Sequence, residues 1–269
     1  MSEVYVVTSG KGGVGKTTSS ANIGAGLAFL GKKVVLIDAD IGLRNLDIVM
    51  GLENRIVYDI VNVIEGSAKL KQALVRGKMN ENLCLLPAAQ TRDNNSITPE
   101  QMKKICDNLK SDFDFIIIDC PTGIEQGFRN AIAGADKAIV ITTPDVVAVR
   151  DAHRIMGLLE ANKLKEPKLV LNRVKPNMTQ RGGTLSPDEV SEILPIHLLG
   201  VVPEDEYIAF STSKGEPCIA NKKSIAGKAY REIVRRMLGE NLPPLDLPPK
   251  TGFTTRIKGI FERRKTKWT

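Results

Sequence analysis

The sequence predicts an α/β fold in which a mostly parallel central sheet carries helices on both faces. Three observations predict it: short, continuously apolar runs, amphipathic segments between them, and a glycine-rich loop joining the first run to the first such segment. The runs are VYVVTS (4–9), KVVLIDAD (33–40), LCLLPA (83–88), FIIIDC (115–120), KAIVITT (137–143), KLVLNRV (168–174) and HLLGVVP (197–203). Strands covered on both faces have no polar side to show, so they read as unbroken apolar stretches. Segments 18–30, 99–109, 146–160 and 224–238 are amphipathic, and their alternation with the runs implies right-handed crossovers.

With 269 residues, 42% of them hydrophobic, the chain can fill one large α/β domain or two small ones. No apolar run approaches the roughly 18–20 residues needed to cross a bilayer. The start, EVYVVTSG after two residues, lacks the basic, apolar or Arg/Ser-rich pattern of a leader, so the expected workplace is the compartment of synthesis. Cys84, Cys106, Cys120 and Cys218 are scattered without a C-x-x-C pair and read as small core hydrophobes. His153 and His197 are too few and too separate to suggest a metal cluster.

The loop GKGGVGKTT (10–18) contains G-x-x-x-x-G-K-[ST] through Gly10, Gly15, Lys16 and Thr17. It follows a strand and opens a helix, the setting in which backbone N–H groups converge on phosphates. The candidate nucleotide-binding set is therefore Gly10, Lys11, Gly12, Gly13, Val14, Gly15, Lys16, Thr17 and Thr18. Within it Lys16 would contact the β- and γ-phosphates and Thr17 would ligate Mg²⁺. Hydrolysis needs carboxylates at neighbouring strand ends: VVLIDAD supplies Asp38 and Asp40, and FIIIDC supplies Asp119, a Walker B pattern. Lys11 is surplus, since one ammonium already serves the phosphates.

Together KGGVGKTT, DADIGLRNLD, DCPTGIEQGFRNAI and TTPDVVAVRDAHRI resemble the deviant Walker A ATPases, and among them the septum-site-determining branch, along nearly the whole chain. The resemblance implies a P-loop NTPase fold of that type, with ATP and Mg²⁺ as ligands. It implies that Lys11 reaches across a homodimer to the nucleotide of the other copy, which gives the surplus lysine a duty. It further implies that Asp40 positions the attacking water and that Asp38 supports the metal beside Thr17 and Asp119. Residues 42–47 and 121–125 would be switch segments, and Asn172, Arg173 and Pro203 would contact adenine. A member of this branch positions the division septum, recruits a MinC-like division inhibitor and answers to a MinE-like activator of hydrolysis. Its place would be the cytoplasm and the inner face of the cell membrane, or the stroma and inner envelope of a plastid. Two positions depart from the pattern: Thr122 stands where Ala is usual, and His153 where an acidic residue is usual, on a helix the family uses for partners.

The chain ends differently from its body. LPPLDLPPK (242–250) has four prolines in nine residues and favours an extended spacer. Residues 250–269 carry seven basic side chains against one acidic, a net +6 of the chain's +7, leaving 31 basic and 30 acidic residues before them. At about 100° per residue, Phe253, Ile257, Ile260, Phe261 and Trp268 share an arc of about 100°, with most cations flanking it and Arg264 inside it. That pattern suits an interfacial helix on an anionic membrane. The expected organisation is an ATPase domain at 1–241, a spacer at 242–250 and an amphipathic basic helix at 251–269.

Two other readings compete. A chromosome- or plasmid-partitioning ATPase would spread basic residues over its body for DNA phosphates. An ATPase resembling the nitrogenase iron protein would need cysteines spaced to bridge a cluster, and beyond Cys120 no cysteine has suitable spacing.

Overall fold

A computed structural model describes residues 2–243 other than 165, 181 and 182. The spacer beyond residue 243 and the helix expected at 251–269, with Phe253, Ile257, Ile260, Phe261 and Trp268, lie outside the described residues.

The strands are β1 (Glu3–Thr8), β2 (Val34–Asp38), β3 (Val75–Arg76), β4 (Leu83–Leu86), β5 (Phe115–Asp119), β6 (Lys137–Thr142), β7 (Lys168–Val174) and β8 (His197–Pro203). The helices through the first half are α1 (Lys16–Phe29), α2 (Leu46–Met50), α3 (Ile60–Ile64), α4 (Leu70–Ala73) and α5 (Pro99–Leu109). They continue as α6 (Gln126–Ala133), α7 (Val146–Ala161), α8 (Pro176–Gln180), α9 (Pro187–Ile193), α10 (Tyr207–Ser213) and α11 (Ile225–Met237).

One eight-stranded sheet runs β3-β4-β2-β5-β1-β6-β7-β8. Only the short β3 is antiparallel, pairing with β4, so the carboxyl ends of the other strands share one edge. All seven expected strands form; β3 was not expected, since two residues carry no periodicity.

Alternation along each strand sends side chains to opposite faces. Val4 and Val6 of β1 join Ile116 and Ile118 of β5 in one core, under Met102, Ile105, Phe128 and Ile155. Tyr5 and Val7 join Ile117 in the other core, under Ile23, Leu27, Tyr230 and Ile233. Helices α5, α6 and α7 thus cover one face, and α1 and α11 the other. Helix α1, expected to be amphipathic, is instead buried along most of its length; its many Ala and Gly residues let it sit between the sheet and α11. Ser19 and Tyr230 share a buried 3.0 Å hydrogen bond that ties the two helices together.

Several helix starts are fixed by side chains that accept the otherwise orphaned N–H groups. Thr98 opens α5 in a capping box with Gln101, followed by proline at the first helical turn. Asp145 caps α7 through the Ala148 N–H (2.9 Å), and Ser224 caps α11 through the Gly227 N–H (2.8 Å). At the sheet edge Arg236 donates to the Leu199 carbonyl of β8 (3.3 Å) and to the Pro243 carbonyl (2.5 Å). The guanidinium thereby covers part of an open edge and fixes where the chain leaves the domain.

Candidate nucleotide site

Strand order brings the expected residues to one place. Loop 10–15 leaves the carboxyl end of β1, which lies between β5 and β6, while Asp38 of β2 pairs in register with Asp119 of β5. Gly15 has φ 100°, a left-handed conformation that lets the chain turn directly into α1. A Cβ at Gly15 would overlap the Asn172 amide, and one at Gly10 would overlap the backbone carbonyl of Asp151 in α7. The loop is therefore wedged between β7 and α7 by glycines that permit close approach.

Helix α1 differs from α5, α7 and α11 at its start. It has no side-chain cap and, like α7 and α11, no acidic residue in its first turn. Its free N–H groups and the positive end of its dipole face the loop, which is the physical basis of an anion site. Lys16 begins this helix and is only 7% exposed. Burying an ammonium is costly without counter-charge, so this lysine needs anions nearby. Asp40 and Asp119 both feel it: burial raises the Asp40 carboxyl from its ordinary value, and Lys16 partly offsets this. Burial likewise pushes Asp119 up to about 6, against hydrogen bonds from the Thr17 and Ser20 hydroxyls. Ser20 Oγ lies 2.8 Å from the Asp119 carboxylate.

Asp38 has both carboxyl oxygens engaged by backbone, from the Asp40 N–H (3.0 Å) and the Leu46 N–H (3.1 Å). It therefore holds residues 40–46 in place. Burial first, and then the adjacent Asp119 carboxylate, raise its pKa to about 8. The native protein without nucleotide or metal thus keeps a proton here that the unfolded chain releases near pH 4. The stability attached to that proton is full below the unfolded value and is lost as pH rises through about 8. Asp38→Asn does not titrate, but its amide loses one of the two backbone hydrogen bonds at every pH, so only the change of the difference with pH reports the proton. The variant should gain on the parent by up to about 4 kcal/mol from pH 5 to pH 8, or about 8–16 °C in Tm. Thermal melts of both proteins without nucleotide are the check. A difference that stays flat across that range would show that the carboxyl is ionised throughout.

The metal expectation can be tested against donor chemistry. Among the described residues no three His, Cys, Asp or Glu side chains converge on one point. Mg²⁺ commonly takes one or two carboxylates together with substrate phosphates, so no such cage is required. The Thr17 hydroxyl shares a hydrogen bond with Asp119, giving a hard-oxygen pair that fits.

Lys11 lies apart from this cluster. Its ammonium is exposed and 3.4 Å from Asp145, with the two side chains 45% and 43% exposed. Asp145 sits below the usual carboxylate range: partial burial raises it, but the Thr143 hydroxyl, the Ala148 N–H and Lys11 outweigh that.

At the far side Asn172 is buried and donates to the Val14 carbonyl at 2.7 Å. Its Oδ1 is buried without a hydrogen-bond partner among the described residues. Arg173 is exposed in a left-handed conformation (φ 56°), one residue before Val174, which pairs with Pro203. Asn172 therefore adjoins the phosphate loop directly, while Arg173 and Pro203 line the strand ends beside it. Asp205 instead anchors α11, accepting from Ser224 Oγ (2.7 Å) and the Ala226 N–H (3.1 Å).

Sequence reasoning did not single out Ser20, Asp145 or the Asp151 backbone as parts of this site. Ser20 lies one turn beyond Lys16, a spacing that could have flagged it; the other two contacts have no local signal. Thr122 is exposed, its Cγ2 3.7 Å from where a Cβ on Gly12 would lie, and His153 is on the exposed side of α7. Burial pushes the Cys106, Cys120 and Cys218 thiols up to about 12, as suits core residues, while Cys84 is half-buried.

This loop, its uncapped helix and the paired strand-end carboxyls can be set beside known proteins. The family model described as an AAA domain matches residues 2–170. The septum site-determining protein MinD of Bacillus subtilis is 53% identical over 264 residues, covering 97% of this chain and 98% of that protein. The chain belongs to the MinD family of septum site-determining ATPases. MinD in the MinC:MinD cell division complex of Aquifex aeolicus superposes with a TM-score of 0.85 at 46% identity, over 91% of this chain and 99% of that one. MinD of Pyrococcus horikoshii complexed with Mg-ADP gives 0.81 at 29% identity, over 88% and 96% of the two chains. The fold and family expected from the motifs are those found, and no described helix is long and apolar enough to cross a membrane.

Proposed function

We propose that this MinD-family ATPase hydrolyses ATP as a homodimer and cycles on and off an anionic membrane through residues 251–269. The observation that carries the reading is Lys11, an exposed cation on a phosphate loop whose local duty is already met by buried Lys16. A cation delivered to a second copy stabilises transferred charge only when the dimer exists, in the manner of an arginine finger. Hydrolysis then depends on assembly.

In this reading loop residues 10–15 and the N–H groups of α1 hold the phosphates, and Lys16 neutralises them. Thr17 and Asp119, supported by Asp38, would hold Mg²⁺, which would supply charge neutralisation at the phosphates. Asp38 fixes the loop that carries Asp40, and Asp40 orients the attacking water. Asn172 has a free buried acceptor suited to an exocyclic amine, with Arg173 and Pro203 beside the base. The Aquifex MinC:MinD complex and the Mg-ADP complex of the Pyrococcus protein support a MinC-like inhibitor and a Mg-nucleotide as ligands here. A MinE-like activator completes the cycle, placing the protein between the cytoplasm and the inner membrane surface.

The terminal helix sets how strongly one copy binds. Five apolar side chains at ~1.5–3 kcal/mol each would favour the membrane if fully buried, but interfacial burial is partial. Ordering the segment costs about 1 kcal/mol or more per residue, so one copy binds marginally. Two on a dimer gain ~10²–10⁴ in avidity. Sedimentation with anionic liposomes tests this, comparing ATP, ADP and no nucleotide for the full chain and for a version ending at Pro249. Only the full chain with ATP should pellet. Ile260→Glu should abolish that recruitment and leave dimerisation intact, because the carboxylate loses apolar burial and meets a negative surface. Normal pelleting of Ile260→Glu would remove the membrane role of this helix.

A further inference from the structure

We propose that the solvent face of α11 is a second membrane contact, a basic stripe that lies against anionic phospholipid headgroups; the idea rests on the membrane cycle proposed above. Helix α11 buries Ala226, Ala229, Tyr230, Ile233, Val234 and Met237 against the sheet and α1. Lys228, Arg231 and Arg235 recur at i, i+3 and i+7, within about 60° of one another on the opposite face. Lys222 and Lys223 stand exposed immediately before the helix.

The turn that carries these two lysines is held by the stripe itself. The Arg231 guanidinium donates to the carbonyls of Ile219 (2.6 Å), Asn221 (3.2 Å) and Lys222 (3.4 Å). Acidic residues lie at the margins. Glu232 pairs with Arg236 on the flank (3.4 Å), and Glu240 approaches Arg235 from beyond the helix end (2.6 Å). The ammonium groups of Lys222, Lys223 and Lys228 make no ion pair among the described residues. Residues 1–249 carry 31 basic and 30 acidic side chains, so these cations are a local segregation on a nearly neutral body.

Two further observations point to lipid. Ile225 opens the helix 46% exposed, placing an apolar side chain beside the cations. The helix is also the last element before the chain leaves at Pro243, clamped there by Arg236, towards a segment whose sequence combines cations with Ile257, Ile260, Phe261 and Trp268. Nucleic-acid phosphates would call for the charge without the apolar residues.

Each basic residue near an anionic surface changes affinity about fivefold, within a Debye length. Replacing Lys222, Lys223 and Lys228 together by Gln in the full chain should therefore weaken ATP-dependent binding to phosphatidylglycerol-containing vesicles by about 10–100-fold at ~50 mM salt, and less at ~300 mM. Basal hydrolysis and the thermal midpoint should not change, and Arg at the same three positions should bind like the parent. The proposal is overturned if the Gln variant pellets like the parent at low salt, or if it loses duplex-DNA binding while vesicle binding stays intact. Ile260→Glu, run in parallel, reports on the terminal helix alone, so failure of the stripe and failure of the membrane reading give different patterns.

Discussion

Lys11→Ala should bind ATP with near-parental affinity, remain monomeric, and lose at least ~10³-fold in activator-stimulated turnover. The size follows from comparable charges delivered in trans, which contribute ~10³–10⁵ in kcat. Binding should survive because buried Lys16, the uncapped start of α1 and the loop amides are untouched. Stability should survive as well. The pair that Lys11 forms with Asp145 is nearly half exposed, and such pairs contribute about 0–1 kcal/mol. That weakness is also what frees the lysine to leave Asp145 when a second copy approaches. Analytical ultracentrifugation with ATP, alongside phosphate release, measures both halves. A full-strength dimer from the variant would remove the trans-lysine argument.

Asp40→Ala should trap the ATP-bound dimer, with hydrolysis reduced by ~10²–10³-fold and vesicle binding persisting after ATP addition. The side chain can be removed cleanly because the turn is held by the backbone. The Asp40 N–H donates to Asp38, and the Asp40 carbonyl accepts from Leu43 and Arg44, each at 3.2 Å. Burial raises its half-buried carboxyl, and Lys16 lies close enough to offset part of that rise, so it borders the phosphate site without building it. A time course of vesicle-bound protein and free phosphate decides the matter. Prompt release with phosphate at the parental rate would assign the water-orienting role to another residue.

Much of this was legible because its causes are local. The seven long strands are buried on both faces and announce themselves as apolar runs. Residues 99–109 form a helix within the expected bounds because Thr98, Pro99 and Gln101 write its start into the sequence. Short helices such as α2, α3 and α4 have four or five residues, too few for a 3.6-residue period to show. The same division holds in the site. Gly10 to Thr17 form one stretch with one geometry, and Asp38 and Asp119 end strands that pair in register. The contacts of Lys11 with Asp145 and of Asn172 with Val14 join residues 134 and 158 positions apart, so only the packed sheet reveals them. The helix expected at 251–269 rests on spacing and charge alone and lies outside the described residues.

The glycine at position 10 has one more consequence. Between the phosphate loop and α7 the loop contributes no side chain at that point: a Cβ on Gly10 would meet the carbonyl and the Cβ of Asp151. Side chains act as springs; they change rotamer and absorb small displacements. On the loop side there is no spring. A loop that shifts by a fraction of an ångström around a phosphate must carry the middle of α7 with it or open a gap. His153 and Arg154, exposed two and three residues further along that helix, therefore follow a contact whose other side is the phosphate loop.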